Sequence, residues 1–512
     1  MIARRAAGNR AIVESDGSSF HRVFSEIANT PETRFGDLFA TDDREDGGGF
    51  SVHAMFSIPT SPGWVEIDVA LSDELPGFAS LAMTYPALGW YEREIAEQFG
   101  IGVEGHPRLR RLTLPANWPR GYYPMRRDRA WNERTPFQEE LDEIPALVEA
   151  PSGVVDYPLG PVRSGVVESA HYTLRTVGEE LLDCALQLFY KHRGVEKRAE
   201  GLRLEHALLV AERVSGTSAF NNSLAFVRAL EDAAAVEVPA RGQWLRTLFG
   251  ELERIYNHLS AFADLAQATG LAVAQAQFEM LKEKQLRLHG VLTGHRYLFG
   301  TNAIGGVACD LSRERIAMVR NGCKALREWL KPLEAMYLST PSHVDRLLGT
   351  GILTPEDARL FGAVGPIARA AGIDRDLRRD HPYAAYGEVD FAVPLETGGD
   401  AMARTRVRFA EVHEAIRVVE QVCDGIPGGS TCLAGVRPSP GTTGFGWAES
   451  SHGETLSWVA VAANGTLCRY RVRPASFANW QAFAVAVPGH NILTDFPVIE
   501  QSFNLSVAEA DR

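Results

Sequence analysis

The sequence predicts an α+β chain, with a small α/β unit first and then a mainly helical domain with peripheral strands. Three observations predict it. Short strand-like runs are concentrated in residues 35–72, sustained apolar spacing of three and four begins at Trp244, and a strand-turn-strand pattern returns at 457–474. At 512 residues the chain is too long for one core, and a prior of roughly 100–200 residues per domain suggests two to four units.

Taken in order, FSVHAMFSI (50–58) and WVEIDVAL (64–71) read as strands, separated by the turn signal PTSPG (59–63). In PALGWYEREIAEQFG, Leu88, Tyr91, Ile95 and Phe99 fall at helical spacing, and Gly100 ends the helix. Residues 129–157 are acidic and Pro-bearing without a sustained period, so they are expected to link a domain at 1–128 to one at 158–512. The second domain opens with strand-like AHYTLRTVGEELLDCALQLFY. Leu245, Leu248, Phe249, Leu252, Ile255, Tyr256, Leu259 and Phe262 then mark a strong helix, with Glu251, Arg254 and His258 on its polar face, spaced for charge pairing along the helix. SWVAVAANGTLCRYRVRP reads as a hairpin with Asn464-Gly465 as a two-residue turn.

Composition narrows the function. Hydrophobic residues at 45% and charged residues at 23% are ordinary for a globular protein, and a net charge of −13 disfavours nucleic acid as a general partner. The arginine-rich pieces RLRRL (108–112) and RRDR (126–129) are short, and suit solvated faces or contacts to a partner protein. The cysteines at 184, 309, 323, 423, 432 and 468 lie too far apart for a local zinc or iron-sulfur motif, and are expected to be buried free thiols in a reducing compartment. The N-terminus lacks the apolar core of a secretory signal, and no apolar run approaches the roughly 18 residues of a bilayer span. Membrane contact is therefore expected only through partners.

One motif is a decoy. Gly100-Ile-Gly102-Val-Glu-Gly105 satisfies the dinucleotide pattern, but it follows a helix rather than a strand, so it reads as a loop and nothing here is expected to bind NAD.

Residues 89–128 carry Glu92-Arg93-Glu94, Phe99-Gly100-Ile101, Gly105-His106-Pro107 and Arg126-Arg127-Asp128 together. This region resembles the small peripheral-arm subunit of respiratory complex I, a docking scaffold also found in membrane-bound hydrogenases, which implies a structural loop role for His106. From about residue 158, the segments HRGVEKRAEG, AERVSGTSAFNNSLA, GELERIYNHL, DLRRDHPYAAYGEVDF, RVRPASFANW and DFPVIEQSFNLSVAEADR are similar to the large subunit of nickel-iron hydrogenases of the formate hydrogenlyase group. The same fold serves as the quinone-site subunit of complex I.

The resemblance implies a metal site and this sequence departs from it. Such hydrogenases hold nickel with two Cys-x-x-Cys pairs, because thiolates are soft, strong donors. Here Ser215 and Ser218 stand at the first pair, and Ser506 and Glu509 at the second. Asn222 takes the place of a nearby histidine, and His452 that of an arginine beside the metal. The expectation is no nickel-iron centre, no metal and no hydrogen chemistry, and the end at Arg512, about where hydrogenase precursors are cut, agrees with a chain that is never loaded.

For a quinone, the headgroup loop of complex I corresponds to Pro161-Val162-Arg163-Ser164, and its tyrosine to Asn222, leaving Arg163, His192 and Asn222 as possible donors. Glu196 matches a proton-relaying glutamate of related hydrogenases. Its alternative is a salt bridge to Arg193, Lys197 or Arg198. His258 and His289 are expected to be packing histidines. The resulting expectation is a cavity lined by Glu196, Ser215, Ser218, Asn222 and Glu509, in a peripheral subunit on the cytoplasmic side of the cell membrane. It would pass electrons from a partner iron-sulfur small subunit to a quinone beside membrane-embedded antiporter-like subunits. The alternative is a non-catalytic structural or coupling subunit of the same complex.

Overall fold

The computed structural model describes residues 4–58, 63–139, 151–163 and 168–512. The first part is built on a five-stranded sheet. Its strands run, edge to edge, Arg4–Ala7, Arg10–Asp16, Gly63–Leu71, Phe50–Ile58 and Arg34–Asp42. Only Arg10–Asp16 and Gly63–Leu71 pair in parallel, and the crossover between them contains the helix Phe20–Ala28 and two further strands. The two N-terminal strands and that helix were not foreseen, although Phe20, Val23 and Phe24 share one buried helical face. The foreseen strands are present, while residues 59–62 of the turn between them lie outside the described residues.

Both faces of this sheet are covered. Val52, Ala54, Phe56, Ile67 and Val69 pack with Phe20, Val23 and Phe24. Phe39, Met55 and Trp64 join the core of the second part, where the Trp64 ring stacks on His381. Strand Phe50–Ile58 is consequently buried almost continuously rather than in alternation. The helix Gly89–Phe99 ends as expected at Gly100, whose φ of +73° favours glycine.

Residues 140–150 of the expected linker lie outside the described residues. Its last residues are not linker: Val155–Leu159 is a strand, the edge of an antiparallel sheet with His171–Val177 and Glu180–Gln187. The second part is otherwise dominated by the long helices Ala219–Ala234, Ala240–Ala268, Ala272–Thr293, Arg313–Ser339 and Ala401–Gly425. Helix Ala219–Ala234 lies directly on strand Thr443–Ser450. That approach requires glycine, because a Cβ at Gly444 would sit 1.9 Å from the Ala229 carbonyl oxygen and one at Gly446 2.2 Å from that of Ala225.

The predicted hairpin joins Gly453–Val461 to Leu467–Arg473, but through five residues rather than two. Gly465 N–H bonds back to the Ala462 carbonyl, and a bulge at Ala460/Val461 absorbs the extra length. Among the described residues, no helix is long and apolar enough to cross a membrane.

Candidate functional site

Ser218 is the N-cap residue of helix Ala219–Ala234, yet its side chain makes no capping bond. The cap comes from the neighbouring helix, where the Glu253 carboxyl accepts from Phe220 N (2.8 Å), Asn221 N (3.1 Å) and Asn221 Nδ2 (2.7 Å). Burial pushes Glu253 up to about 7, against the pull of these donors. With the helix end satisfied by Glu253, the Ser218 hydroxyl is free to face His452, 3.4 Å from its Nδ1. Ser215 shares a hydrogen bond with Thr217 (3.1 Å).

His452 sits on the tight turn between strands Thr443–Ser450 and Gly453–Val461, where its N–H is held by the Ser450 hydroxyl. Its Nδ1 lies 3.5 Å from Glu509 Oε1, in an ionic contact. Burial works against charge on both groups. For His452 the Glu509 charge outweighs burial and raises the imidazole. The Glu509 carboxyl is held down at about 2 by the His452 charge with donors at Ser476 and Ser218. Ser506 is structural. Its oxygen accepts Glu509 N–H (3.2 Å) as the cap of the short helix Val507–Asp511, and its hydroxyl donates to Glu168 (3.1 Å).

Asn222 lies one turn beyond Ser218 on the same helix face, its N–H bonded to the Ser218 carbonyl. Its side chain is wholly buried, and among the described residues neither Oδ1 nor Nδ2 has a hydrogen-bond partner. Leaving a buried amide unpaired costs about 1–3 kcal/mol.

The other expected site residues are elsewhere. Glu196, on the helix Val195–Ala199, accepts from Arg469 Nη2 (3.0 Å), Val472 N (3.1 Å) and Arg512 Nε (3.1 Å), and Arg471 Nη1 is 3.5 Å away. Burial raises this carboxyl, but the three guanidiniums overcome it and hold it at about 2. The raised carboxyl expected of a relay is therefore not what the geometry gives. The salt-bridge alternative describes it better, with Arg469, Arg471 and Arg512 in place of Arg193, Lys197 or Arg198.

His192 joins the same seam, its Nδ1 donating to the Asp511 carbonyl (2.7 Å), and burial lowers its basicity. Arg163 is paired with Glu500 (3.0 and 2.5 Å) over the Tyr172 ring, and Ser164 beside it lies outside the described residues. The expected single cavity is thus divided: Ser218, His452 and Glu509 meet in one cluster, and Glu196 and His192 in another. The helix Val507–Asp511 connects them.

Sequence reasoning missed Glu253, Glu168 and Ser476. It also placed Glu251, Arg254 and His258 on a polar face of the Ala240–Ala268 helix, whereas all three are buried. Arg254 pairs with Glu251 (3.1 Å) and Glu411 (3.6 Å), while His258 bonds Glu411 (2.8 Å) and is pushed by burial down to about 4. Acids and bases inside a helix as apolar as this one were the available signal. His289 and His106 are packing groups, bonded to the carbonyls of Arg296 (3.1 Å) and Gly89 (3.1 Å).

Comparison with known proteins bears directly on this arrangement. Residues 13–135 match the respiratory-chain NADH dehydrogenase 30 Kd subunit family, and residues 268–443 match the 49 Kd subunit family. Formate hydrogenlyase subunit 5 of Escherichia coli is 33% identical over 93% of this chain and 84% of its own length. The chain belongs to this family of complex I-type and formate hydrogenlyase-type oxidoreductase subunits. Hydrogenase-4 component G of the same organism is 30% identical over 93% of this chain and 83% of its own. The NADH-quinone oxidoreductase C/D protein of Phocaeicola vulgatus is 32% identical over 70% and 72%. The two family matches set the order of the parts, a 30 Kd-type region followed by a 49 Kd-type region.

Within that family fold, the four positions expected to hold nickel offer three hydroxyls and one ion-paired carboxylate. Ser506 is occupied as a helix cap, Ser215 bonds Thr217, and Glu509 is committed to His452 and Ser476. Neutral hydroxyls are poor partners for nickel, and this donor set does not suit a nickel-iron centre. Among the described residues no group of three or more His, Cys, Asp or Glu is arranged to hold a metal ion.

Proposed function

We propose that this chain is the large subunit of a membrane-associated oxidoreductase complex of the complex I or formate hydrogenlyase type, working without a nickel-iron centre. It passes electrons from the clusters of a partner iron-sulfur small subunit to a quinone-type acceptor. Its place is peripheral, on the cytoplasmic side of the cell membrane, against membrane-embedded antiporter-like subunits.

The observation that carries the acceptor reading is the Asn222 carboxamide. A buried amide with both polar atoms unpaired among the described residues, one turn from Ser218, whose hydroxyl faces His452, suits a ligand that both accepts and donates hydrogen bonds. A quinone carbonyl accepts, and the quinol hydroxyl it becomes donates. The His452 ring, raised by the Glu509 charge, brings an N–H-bearing imidazole to the same cluster, with Glu509 holding its orientation. Arg163 and Glu196 have no direct part in this reading, since both are committed to ion pairs.

A second reading, a structural or coupling role in the same complex, is favoured by one feature. Ser218, His452, Glu509 and Ser476 bond among themselves and tie the strand turn to the C-terminal helix.

The test uses the native complex solubilised from membranes, with its iron-sulfur clusters reduced and followed by electron paramagnetic resonance. Added quinone is expected to reoxidise the clusters rapidly, and Asn222→Ala to abolish this while the clusters stay reducible. Reducible clusters that quinone does not reoxidise would overturn the acceptor reading and leave the structural one.

A further inference from the structure

At the seam between the two parts lies a narrow cavity of about 20 Å³, enough for one or two water-sized species. Its polar lining comes from the carboxylates Glu94 and Glu196, the guanidiniums of Arg469, Arg471 and Arg512, and the neutral groups of Gln98 and His192, with Phe39, Phe99 and Met125 among the apolar walls. Both carboxylates are fully engaged. Glu94 accepts from Arg471 and Arg512, and Glu196 from Arg469, Arg512 and Val472 N–H. The guanidiniums are not. Arg469 Nε and Arg512 Nη1 are buried and, among the described residues, have no hydrogen-bond partner, although both residues are at least nine-tenths buried.

The lining therefore presents spare cationic donors and no spare carboxylate acceptor. A guanidinium has five N–H donors and no acceptor, so the complement of two such groups is a species that only accepts. Such bonds are strongest when the acceptor is charged.

We propose that this seam cavity binds one small, weakly hydrated monovalent anion, a chloride- or bromide-sized halide or a compact carboxylate, through Arg469 Nε–H and Arg512 Nη1–H. The site is distinct from the Ser218 cluster and does not depend on the quinone reading. It is linked to that cluster mechanically, because Arg512, the C-cap of helix Val507–Asp511, follows Glu509 by three residues. An anion drawn to Arg512 fixes the end of the helix that delivers Glu509 to His452.

The test soaks crystals of the full chain in bromide and follows its thermal unfolding in sodium bromide against sodium fluoride at equal ionic strength. The expected results are an anomalous peak within hydrogen-bond distance of both guanidiniums and a bromide-specific, saturating rise in melting temperature. Arg469→Lys keeps the charge toward Glu196 and removes the Nε donor, so it should weaken the bromide midpoint at least about tenfold. Water alone in the cavity would overturn the proposal. So would a bromide peak without stabilisation in solution, which means an adventitious ion only, or an Arg469→Lys midpoint equal to wild type. If Arg469→Lys does not fold, the wild-type peak and melting shift decide alone.

Discussion

The seam around Glu196 and the cluster around Ser218 lie at opposite ends of the same short C-terminal helix and are built in opposite ways. At the seam, Asp37, Glu94 and Glu196 meet Arg469, Arg471 and Arg512, and every carboxylate oxygen has a cationic partner or a backbone donor. In the Ser218 cluster one imidazole faces one carboxylate among hydroxyls, and a carboxamide has no partner among the described residues. The difference lies in what is left over. Dense paired charge fixes two layers in register and, among the described residues, leaves over only guanidinium N–H donors, whereas the sparse polarity of the Ser218 cluster leaves a carboxamide that a ligand able to both accept and donate can complete.

The largest effect should come from breaking the seam. Arg471 bridges Asp37 (2.8 and 2.9 Å), Glu94 (2.9 Å) and Glu196 (3.5 Å), all from inside the fold. Arg471→Met leaves three buried carboxylates short of their common partner, and should cost about 3–5 kcal/mol in denaturant unfolding of the full chain. Adding Asp37→Asn should recover part of that loss, since the two sites share one contact. A cost below about 1 kcal/mol would mean that apolar packing, not the ion cage, joins the two parts.

The His452–Glu509 pair should matter less, and in a way that depends on pH. Glu509 is depressed in the folded chain, so its contribution is present above the unfolded value near 4.3 and is lost as pH falls toward about 2. His452 is raised, so its contribution is complete below the unfolded value of about 6.5 and is lost as pH rises through the folded one. The pair is at full strength between roughly pH 5 and 6. Glu509→Gln should therefore destabilise by about 1–3 kcal/mol there and by less once pH has risen through the folded His452 value. In the same variant the His452 ring, followed by NMR, should titrate at lower pH than in wild type. An unchanged His452 titration would show that the pair is not formed.

How much of this could be read in the sequence differs between the two regions for a physical reason. The helix Ala240–Ala268 declares itself by local apolar period, and the serines at 215, 218 and 506 stand out once the family pattern is placed over them. The seam had no local signature. Glu196 finds Arg469 across 273 positions, and Arg471 finds Asp37 across 434, so the sequence offered only the adjacent Arg193, Lys197 and Arg198 as partners. Glu253 was hidden for the related reason that a helix cap donated by a neighbouring helix leaves no trace at the cap position itself. The five-residue turn after Val461 was misread because Asn464-Gly465 suits either a two-residue turn or the end of a longer one, and the bulge that decides between them is set by strand pairing.

The smallest effect, and the one with opposite signs for stability and function, is expected at Asn222. In the isolated chain its carboxamide finds no hydrogen-bond partner among the described residues, and its burial is a cost. Asn222→Leu removes the unpaired polar atoms and fills the site with an apolar side chain, so it should stabilise the chain by about 1 kcal/mol. The seam offers no such gain, since every charged group removed there strands another. In the intact complex the same substitution should eliminate reoxidation of the clusters by quinone, because the leucine can meet neither a carbonyl nor a hydroxyl. If Asn222→Leu instead destabilises by more than about 1 kcal/mol, the amide has a partner such as a bound water in the resting protein. The carboxamide would then need no outside ligand, and the contrast between the two regions would narrow to the number of charges each holds.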